Sequence, residues 1–145
     1  MSVSVRPRRR SLGGLIPLLG LLWLVYNAIV LLGATPVLEA VVSSFTLPSG
    51  AVWTMRGGEV LVALGLVALY VEMLKSTRTG TSSVIEHSLS VLVFVLFLVE
   101  FIVVPGAGTA TFLLMTLMAL LDVIAGFSIS ISAARRDLAI DRTVE

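Results

Sequence analysis

The sequence predicts an all-α fold, a bundle of four transmembrane helices with a short interfacial helix between helices 1 and 2. Of the 145 residues, 57% are hydrophobic and only 13% are charged. The mean hydropathy of +1.07 lies well outside the range of an ordinary soluble domain. Four apolar segments approach or exceed about 20 residues, the length at which a helix crosses the hydrocarbon core. We predict spans at 12–33, 53–74, 84–104 and 109–132, within a membrane domain at 12–132.

Composition restricts the chemistry open to the chain. Cysteine is absent, which excludes disulfides, thiolate nucleophiles and thiolate metal ligands. The one histidine is too few to build a metal site alone. The sequence also lacks a nucleophile elbow, an HExxH zinc motif and a phosphate-binding loop. We therefore predict no enzyme activity, no cofactor and no metal site. Basic residues flank the spans without interleaved aromatic residues, so no nucleic acid partner is predicted.

The chain begins with a basic tail at 1–11, followed directly by the first predicted span. This start also resembles a signal peptide, and its paired arginines weakly resemble a twin-arginine signal. The apolar run exceeds the roughly 7–15 residues of a signal-peptide core, and no small-x-small cleavage site closes it, so an uncleaved helix is favoured. Small or amide residues recur every seven positions and predict a packing face: Gly13, Gly20, Asn27 and Ala34.

We predict a short second helix at 36–45. Thr35 and Pro36 form a typical helix start, with Glu39 in the first turn. The apolar residues of this segment share a face opposite Ser43, and ten residues are too few to span a bilayer. The helix should therefore lie flat at the interface. An apolar helix packed on the rim of the bundle would give the same pattern, and this alternative stays open.

The second span is expected to begin at Trp53, an interfacial anchor after the turn at 47–50. Arg56 and Glu59 are three residues apart and can form an ion pair on one face of the helix. A different face carries two glycines and a carboxylate, spaced by seven residues: Gly58, Gly65 and Glu72. Such spacing favours a close-packing side that ends in a carboxylate.

Polar residues also mark one face of the third span. Steps of three and four residues place the following side chains in one stripe: Glu86, Ser90, Val93, Phe97 and Glu100. Lipid penalises carboxylates, so the other helices are expected to pack around this stripe. Residues 105–108 form a tight turn, which makes the third and fourth spans an antiparallel helical hairpin.

Asp122 lies near the middle of the fourth span and is the most deeply placed charge in the sequence. It shares a helical face with Thr111, Met115, Met118 and Gly126. We expect no lysine, arginine or histidine at its depth within the same protomer. An ionised carboxylate there would be costly, so we expect a protonated or hydrogen-bonded group. Two interpretations stay open, a proton or ion path and a hydrogen bond that joins two helices.

Charge distribution predicts the orientation. With both ends inside, all ten lysines and arginines except Arg56 fall on the inner side. This asymmetry follows the positive-inside rule. We therefore predict a bacterial inner membrane protein whose tails at 1–11 and 133–145 are both cytoplasmic.

Two groups of polar residues are predicted to meet at the ends of the bundle. The outer group is Asn27, Arg56, Glu59 and Glu100. We interpret this group as an interfacial ion pair between Arg56 and one of the two carboxylates, in preference to a substrate site. The other carboxylate would then be protonated or hydrogen-bonded to Asn27. The inner group is Glu72, Lys75, Glu86 and His87. A proton relay is its functional interpretation, although the helix dipole alone explains an acid in the first turn of a helix.

Two functions fit these patterns. The favoured one is a structural or accessory subunit that binds a second copy of the chain or other membrane-protein helices within the lipid bilayer, because small-residue heptads and short loops suit helix contacts. The alternative is a proton- or cation-coupled channel or transporter that uses Glu100 and Asp122. Four helices of this size would need to oligomerise to enclose such a path.

Overall fold

The chain is mostly helical in the computed structural model, which describes residues 17–76 and 81–141. Three long helices, a shorter apolar helix and a small β-hairpin make up this part of the chain. The helices are α1 Leu18–Leu31, α2 Pro36–Glu39, α3 Gly57–Ser76, α4 Thr81–Val103 and α5 Ala110–Asp141. The strands are β1 Val41–Thr46 and β2 Val52–Arg56. A single turn of 3-10 helix, Pro105–Ala107, joins α4 to α5.

Within the described residues, three helices are long and apolar enough to cross a membrane. They are α3, the Ile85–Val103 part of α4 and the Ala110–Ile129 part of α5. Most of their surface carries exposed leucine, valine and isoleucine side chains, which suit lipid and not water. The protein is therefore a multi-pass membrane protein. Three of the four predicted spans appear as candidate spans, and the first appears as the shorter helix α1.

The predicted helix at 36–45 is wrong beyond its first turn. The helix α2 ends at Glu39, and the chain then forms β1, which pairs antiparallel with β2. β-Branched and aromatic residues such as Val41, Phe45 and Thr46 favour an extended strand once a partner strand is available. Gly50, at φ +85°, makes the connecting turn possible. The segment between α1 and α3 is thus mainly a hairpin.

The ends of two predicted spans also differ from the helices observed. The second long helix begins at Gly57 and not near Trp53, because residues 53–56 pair with β1. The last helix continues to Asp141, so residues 133–141 are helical instead of an irregular tail. Alanine, arginine and leucine are frequent in this stretch and favour a helix. The basic tail at 1–11, the first-span residues 12–16, the connector at 77–80 and residues 142–145 lie outside the described residues.

The two long helices that run in the same direction, α3 and α5, pack through the predicted glycine face. A Cβ atom at Gly58 would lie 2.5 Å from Oγ1 of Thr111, and one at Gly65 would lie 2.8 Å from Sδ of Met118. Both partners lie on the predicted Asp122 face of α5 and repeat at the same seven-residue spacing. The absence of side chains at two α3 positions therefore lets the helices approach closely.

The helix α1 packs against α3 and α4, and its Tyr26 reaches the start of α5. Gly20 faces Val93, whose Cγ2 would lie 3.1 Å from a Cβ at that glycine. Tyr26 is fully buried, and its ring lies 4.8 Å from that of Phe112, which in turn lies 5.3 Å from Phe97. The stripe predicted on α4 and the heptad face predicted on α1 therefore do face one another.

Candidate functional site

Three titratable side chains from three different helices converge near the end of the bundle that is opposite the hairpin. Glu72 comes from α3, His87 from α4 and Asp122 from α5, and their exposed fractions are 6%, 8% and 5%. Ser90, one turn after His87 on α4, completes the group. We call these four residues the buried polar cluster.

Asp122 is held by α4. Its carboxylate accepts a hydrogen bond from the side chain of Ser90, and it lies within electrostatic reach of His87 and Lys75. The expectation that no basic residue shares its depth is therefore wrong. The cause is the antiparallel pairing of α4 and α5: His87 precedes Val103 by sixteen residues, just as Gly126 follows Ala110 by sixteen. In two antiparallel helices, residues that are the same number of positions away from a short connection lie at about the same depth.

His87 is positioned by a glycine on the facing helix. A Cβ at Gly126 would lie 2.7 Å from both Cε1 and Nδ1 of the imidazole, so only glycine leaves room for the ring. The ring of Phe127 covers another side of the imidazole, with the two centroids 5.7 Å apart. Gly126 lies on the predicted Asp122 face of α5, and the group that fills the space beside it is this imidazole.

Glu72 connects the cluster to α1. Its Oε1 accepts a hydrogen bond from the backbone N–H of Leu18, the first residue of α1. The first N–H groups of a helix have no partner within the helix and favour a negative charge, so Glu72 caps α1 from a different helix. The other oxygen, Oε2, is buried and finds no hydrogen-bond partner among the described residues. This carboxylate therefore keeps one free acceptor inside the bundle.

The two carboxylates of the cluster interact unfavourably when both are charged. Asp122 lies within electrostatic reach of Glu72, and the nearby basic side chains among the described residues are those of Lys75 and His87. Two like charges inside a membrane bundle are costly, and a proton shared within the group removes that cost. The arrangement is therefore chemically suited to bind and release a proton.

The other members of the predicted inner group lie at the edge of this cluster. Lys75 is half-buried near the end of α3. Glu86 is half-buried and directly precedes His87. Successive residues point about 100° apart around a helix, so Glu86 and His87 project from different sides of α4. The structure thus brings Glu72 and His87 to Asp122 and leaves Glu86 apart.

The predicted outer group forms two separate pairs at the hairpin end. Nδ2 of Asn27 donates a hydrogen bond to Oε2 of Glu100 at 3.0 Å, and both residues are half-buried. The backbone N–H of Arg56 donates to Oε2 of Glu59 at 2.9 Å, where both side chains are exposed. Glu59 therefore contacts the backbone of Arg56 at the start of α3, where we had predicted an ion pair with its guanidinium. No single outer cluster forms.

A layer of apolar side chains separates the buried polar cluster from the Asn27–Glu100 pair. Its central residues are Phe97, Met115 and Met118, which we call the apolar layer, and their exposed fractions are 0%, 0% and 6%. Ser90 and Glu100 lie ten residues apart on α4, which corresponds to about 15 Å along the helix axis. The titratable groups inside the bundle are thus divided between two depths, while Thr116, buried within the apolar layer, donates its hydroxyl to the Phe112 carbonyl of its own helix.

Tyr26 is a buried polar residue that we did not identify from the sequence. Its hydroxyl donates to the backbone oxygen of Gly106 at 3.1 Å and lies 3.0 Å from Oγ1 of Thr109. The same Thr109 oxygen accepts the N–H of Phe112 at 3.1 Å and caps α5. The sequence gives only a weak signal of this contact, because the two partners of Tyr26 are eighty or more residues away along the chain.

Comparison with protein-family models, curated proteins and solved structures found no match for this chain. The geometry of the described residues therefore carries the functional argument alone. No group of three or more histidine, aspartate or glutamate side chains in the described part of the chain is arranged to hold a metal ion. The fold defines a multi-pass membrane protein, and its most distinctive feature is the buried polar cluster.

Proposed function

We propose that this protein is a proton-conducting channel or proton-coupled transporter in which Glu72, His87 and Asp122 bind and release the proton. The observation that carries the proposal is that Glu72 and His87, from two helices, each lie within electrostatic reach of Asp122 on a third, and that all three side chains are more than nine-tenths buried. Acids and histidines within membrane spans are expensive and usually face a functional interior. Histidine also changes charge near neutral pH, which suits proton transfer.

A purely structural contact between two helices would need fewer polar groups than this cluster contains. One hydroxyl or amide pair is enough to join two membrane helices, and Ser90 with a single neutral partner would provide it. The cluster instead holds two carboxylates that repel each other and an imidazole beside them. The cluster therefore holds more titratable groups than a hydrogen bond between helices requires, and this favours a proton site over simple helix adhesion.

The apolar layer supplies the second part of the proposed mechanism. A proton that reaches the buried polar cluster meets tightly packed side chains before the Asn27–Glu100 pair. A dry constriction of this kind blocks leakage until the helices move. We propose that proton movement requires a rearrangement around Phe97 and Met115. The sequence suggested a proton route through Glu100 and Asp122. In the present proposal, Glu72 and His87 also take part, at the Asp122 end of that route.

Location and orientation follow from the charge asymmetry. We propose that the protein resides in a bacterial inner membrane with the Lys75 end of the bundle at the cytoplasm. The hairpin would then lie on the opposite side. In this orientation the cluster lies nearer the cytoplasm and the Asn27–Glu100 pair nearer the outside.

A structural or accessory subunit remains the second candidate function. In the sequence, the spacing of the glycines favoured this function. Side chains and backbone of the same chain fill the space beside Gly20, Gly58, Gly65 and Gly126, so the spacing no longer argues for an external partner. A different observation supports it: only 11% of the α4 span is buried, against 33% and 39% for α3 and α5. The free face of α4 offers room for a second copy or another membrane helix.

The proposal is tested by proton flux into liposomes that contain the purified protein and a trapped pH-sensitive dye. We expect a pH gradient to collapse faster than in protein-free liposomes, and Asp122→Asn to abolish the difference because an amide does not carry an exchangeable acid proton. Glu72→Gln should reduce it strongly. Glu59→Gln is the matched control, since it removes the same charge at an exposed site and should leave flux unchanged. Wild-type flux equal to that of empty liposomes contradicts the proposal.

A further inference from the structure

The β-hairpin has two chemically different faces. Neighbouring cross-strand pairs point to opposite sides of a two-stranded sheet. One face carries the pairs Phe45↔Trp53 and Ser43↔Met55, and the other carries Ser44↔Thr54 and Thr46↔Val52. The rings of Phe45 and Trp53 touch, with centroids 5.0 Å apart. One face is therefore aromatic and apolar, and the other is mainly hydroxyl-bearing.

The described part of the chain leaves much of the aromatic face uncovered. Phe45 is 52% exposed, and Leu47 and Trp53 are each 37% exposed. No residue from 40 to 55 is charged, although Glu39 and Arg56 stand directly on either side. A surface of this composition is unfavourable in water and carries no charge that would select an oppositely charged partner.

The base of the hairpin is fixed at the level where the spans begin. The N–H of Gly57, the first residue of α3, donates to the backbone oxygen of Ala40 at 3.1 Å, and no linker separates β2 from α3. At the same end of the bundle Leu32 and Ile102 are 82% and 72% exposed. Side chains this apolar and this exposed require lipid around them. The lipid boundary therefore reaches the base of the hairpin.

We propose that the hairpin lies on the membrane surface, with Phe45, Leu47 and Trp53 in the lipid headgroup layer and the hydroxyl face turned to water. A six-residue strand is about 20 Å long, which carries the aromatic face over the lipids beside the bundle. Tryptophan prefers this zone because its ring is apolar and its N–H is polar. The partner is thus the neutral part of the headgroup layer of the bilayer, bound without any need for anionic lipid.

Tryptophan fluorescence tests this placement, because the chain has two tryptophans and Trp23→Phe leaves Trp53 as the only one. The protein is placed in phosphatidylcholine vesicles that carry a quencher either near the headgroup or deep in the acyl chains. We expect strong loss of emission with the shallow quencher, weaker loss with the deep one, and little loss with aqueous iodide. The variant Trp53→Phe, which reports Trp23 on α1, should give stronger loss with the deep quencher than with the shallow one.

A pair of charge variants then tests which face is bound. In the Trp23→Phe background, Phe45→Asp places a charge on the aromatic face and should restore quenching by iodide. Ser44→Asp places the same charge on the hydroxyl face and should leave the emission of Trp53 unchanged. Full access of iodide to Trp53 before any charge is added would overturn the proposal, as the hairpin would stand in water. Protection from iodide and from both lipid quenchers would also overturn it, because protein would then cover the face.

Discussion

At the scale of single residues, the buried polar cluster depends on a glycine as much as on its titratable groups. The imidazole of His87 occupies the space that any side chain at Gly126 would need. We predict that Gly126→Ala lowers the free energy of unfolding by about 1–3 kcal/mol, the usual cost of overpacking a tight contact. Thermal unfolding in detergent measures it. Gly106→Ala is the control, since its new Cβ would lie 3.5 Å from Val30, and its unfolding temperature should stay close to that of the wild type.

Substitutions at Asp122 separate adhesion from proton transfer. Asparagine retains the hydrogen bond to Ser90, so Asp122→Asn should keep the fold and its thermal stability while removing proton flux. Asp122→Leu also removes the hydrogen bond and should cost about 0.6–2 kcal/mol of stability, the range for polar contacts between membrane helices. If Asp122→Asn conducts protons as well as the wild type does, this aspartate has no part in transport.

Sequence reasoning found most residues of the site but did not predict how they meet. The helical faces that carry Ser90 and Asp122, Gly58 and Gly65 follow from periodicity within one helix, and side chains of other helices contact these faces. The meeting of Asp122 with His87 depends on the relative depth of two helices. A count of residues from the shared connection at 105–108 would have given that depth, because both helices are continuous and the link between them is short.

At the scale of elements, Tyr26 holds α1 against the short link between α4 and α5. We predict that Tyr26→Phe loses about 1 kcal/mol of stability, because the hydroxyl bonds to Gly106 and Thr109 disappear while the ring contacts stay. The other tyrosine provides a matched control, since Tyr70 is 63% exposed on α3. Thermal unfolding of Tyr70→Phe should match the wild type. Equal stability of both variants would mean that the Tyr26 hydroxyl contributes nothing.

The hairpin shows where prediction from sequence fails for an element. Local signals at Thr35, Pro36 and Glu39 correctly gave a helix start, and α2 forms there. The strand that follows exists because Phe45 pairs with Trp53 and Ser44 with Thr54. Such pairing is non-local, so the apolar pattern of 41–46 alone fitted a helix equally well. Trp53 was expected to begin the second span and instead lies in β2, so it was assigned to the wrong element.

At the scale of the whole molecule, we expect a second copy of the chain to meet α4, the least buried of the three candidate spans in the described residues. The sequence-based expectation of an oligomer is separate from the proposed proton route, which runs between the helices of one chain near Phe97 and Met115. Only 11% of the α4 span is buried, and Leu92, Leu96 and Val99 share its exposed side. We expect copies of the chain to meet along this side.

The chain has no cysteine, so single cysteines report on chosen positions without background. We predict that Leu96→Cys forms disulfide-linked dimers when membranes are oxidised, because a contact across α4 brings the two copies within the short reach of a disulfide. Leu117→Cys, at a similarly exposed position on α5, should remain monomeric. A chain that stays monomeric in membranes with cysteines at positions 92, 96 and 99 would contradict oligomerisation through α4.

The central claim is that a proton is held between Glu72, His87 and Asp122, and infrared spectroscopy of the protein in lipid tests it most directly. A protonated carboxyl group gives a C=O stretching band that an ionised carboxylate lacks. We predict a band that appears and disappears as pH is changed, that is lost in Asp122→Asn or altered in Glu72→Gln, and that persists in the exposed-site control Glu59→Gln. A pH-dependent spectrum that is identical in the wild type and in Asp122→Asn and Glu72→Gln would contradict the account.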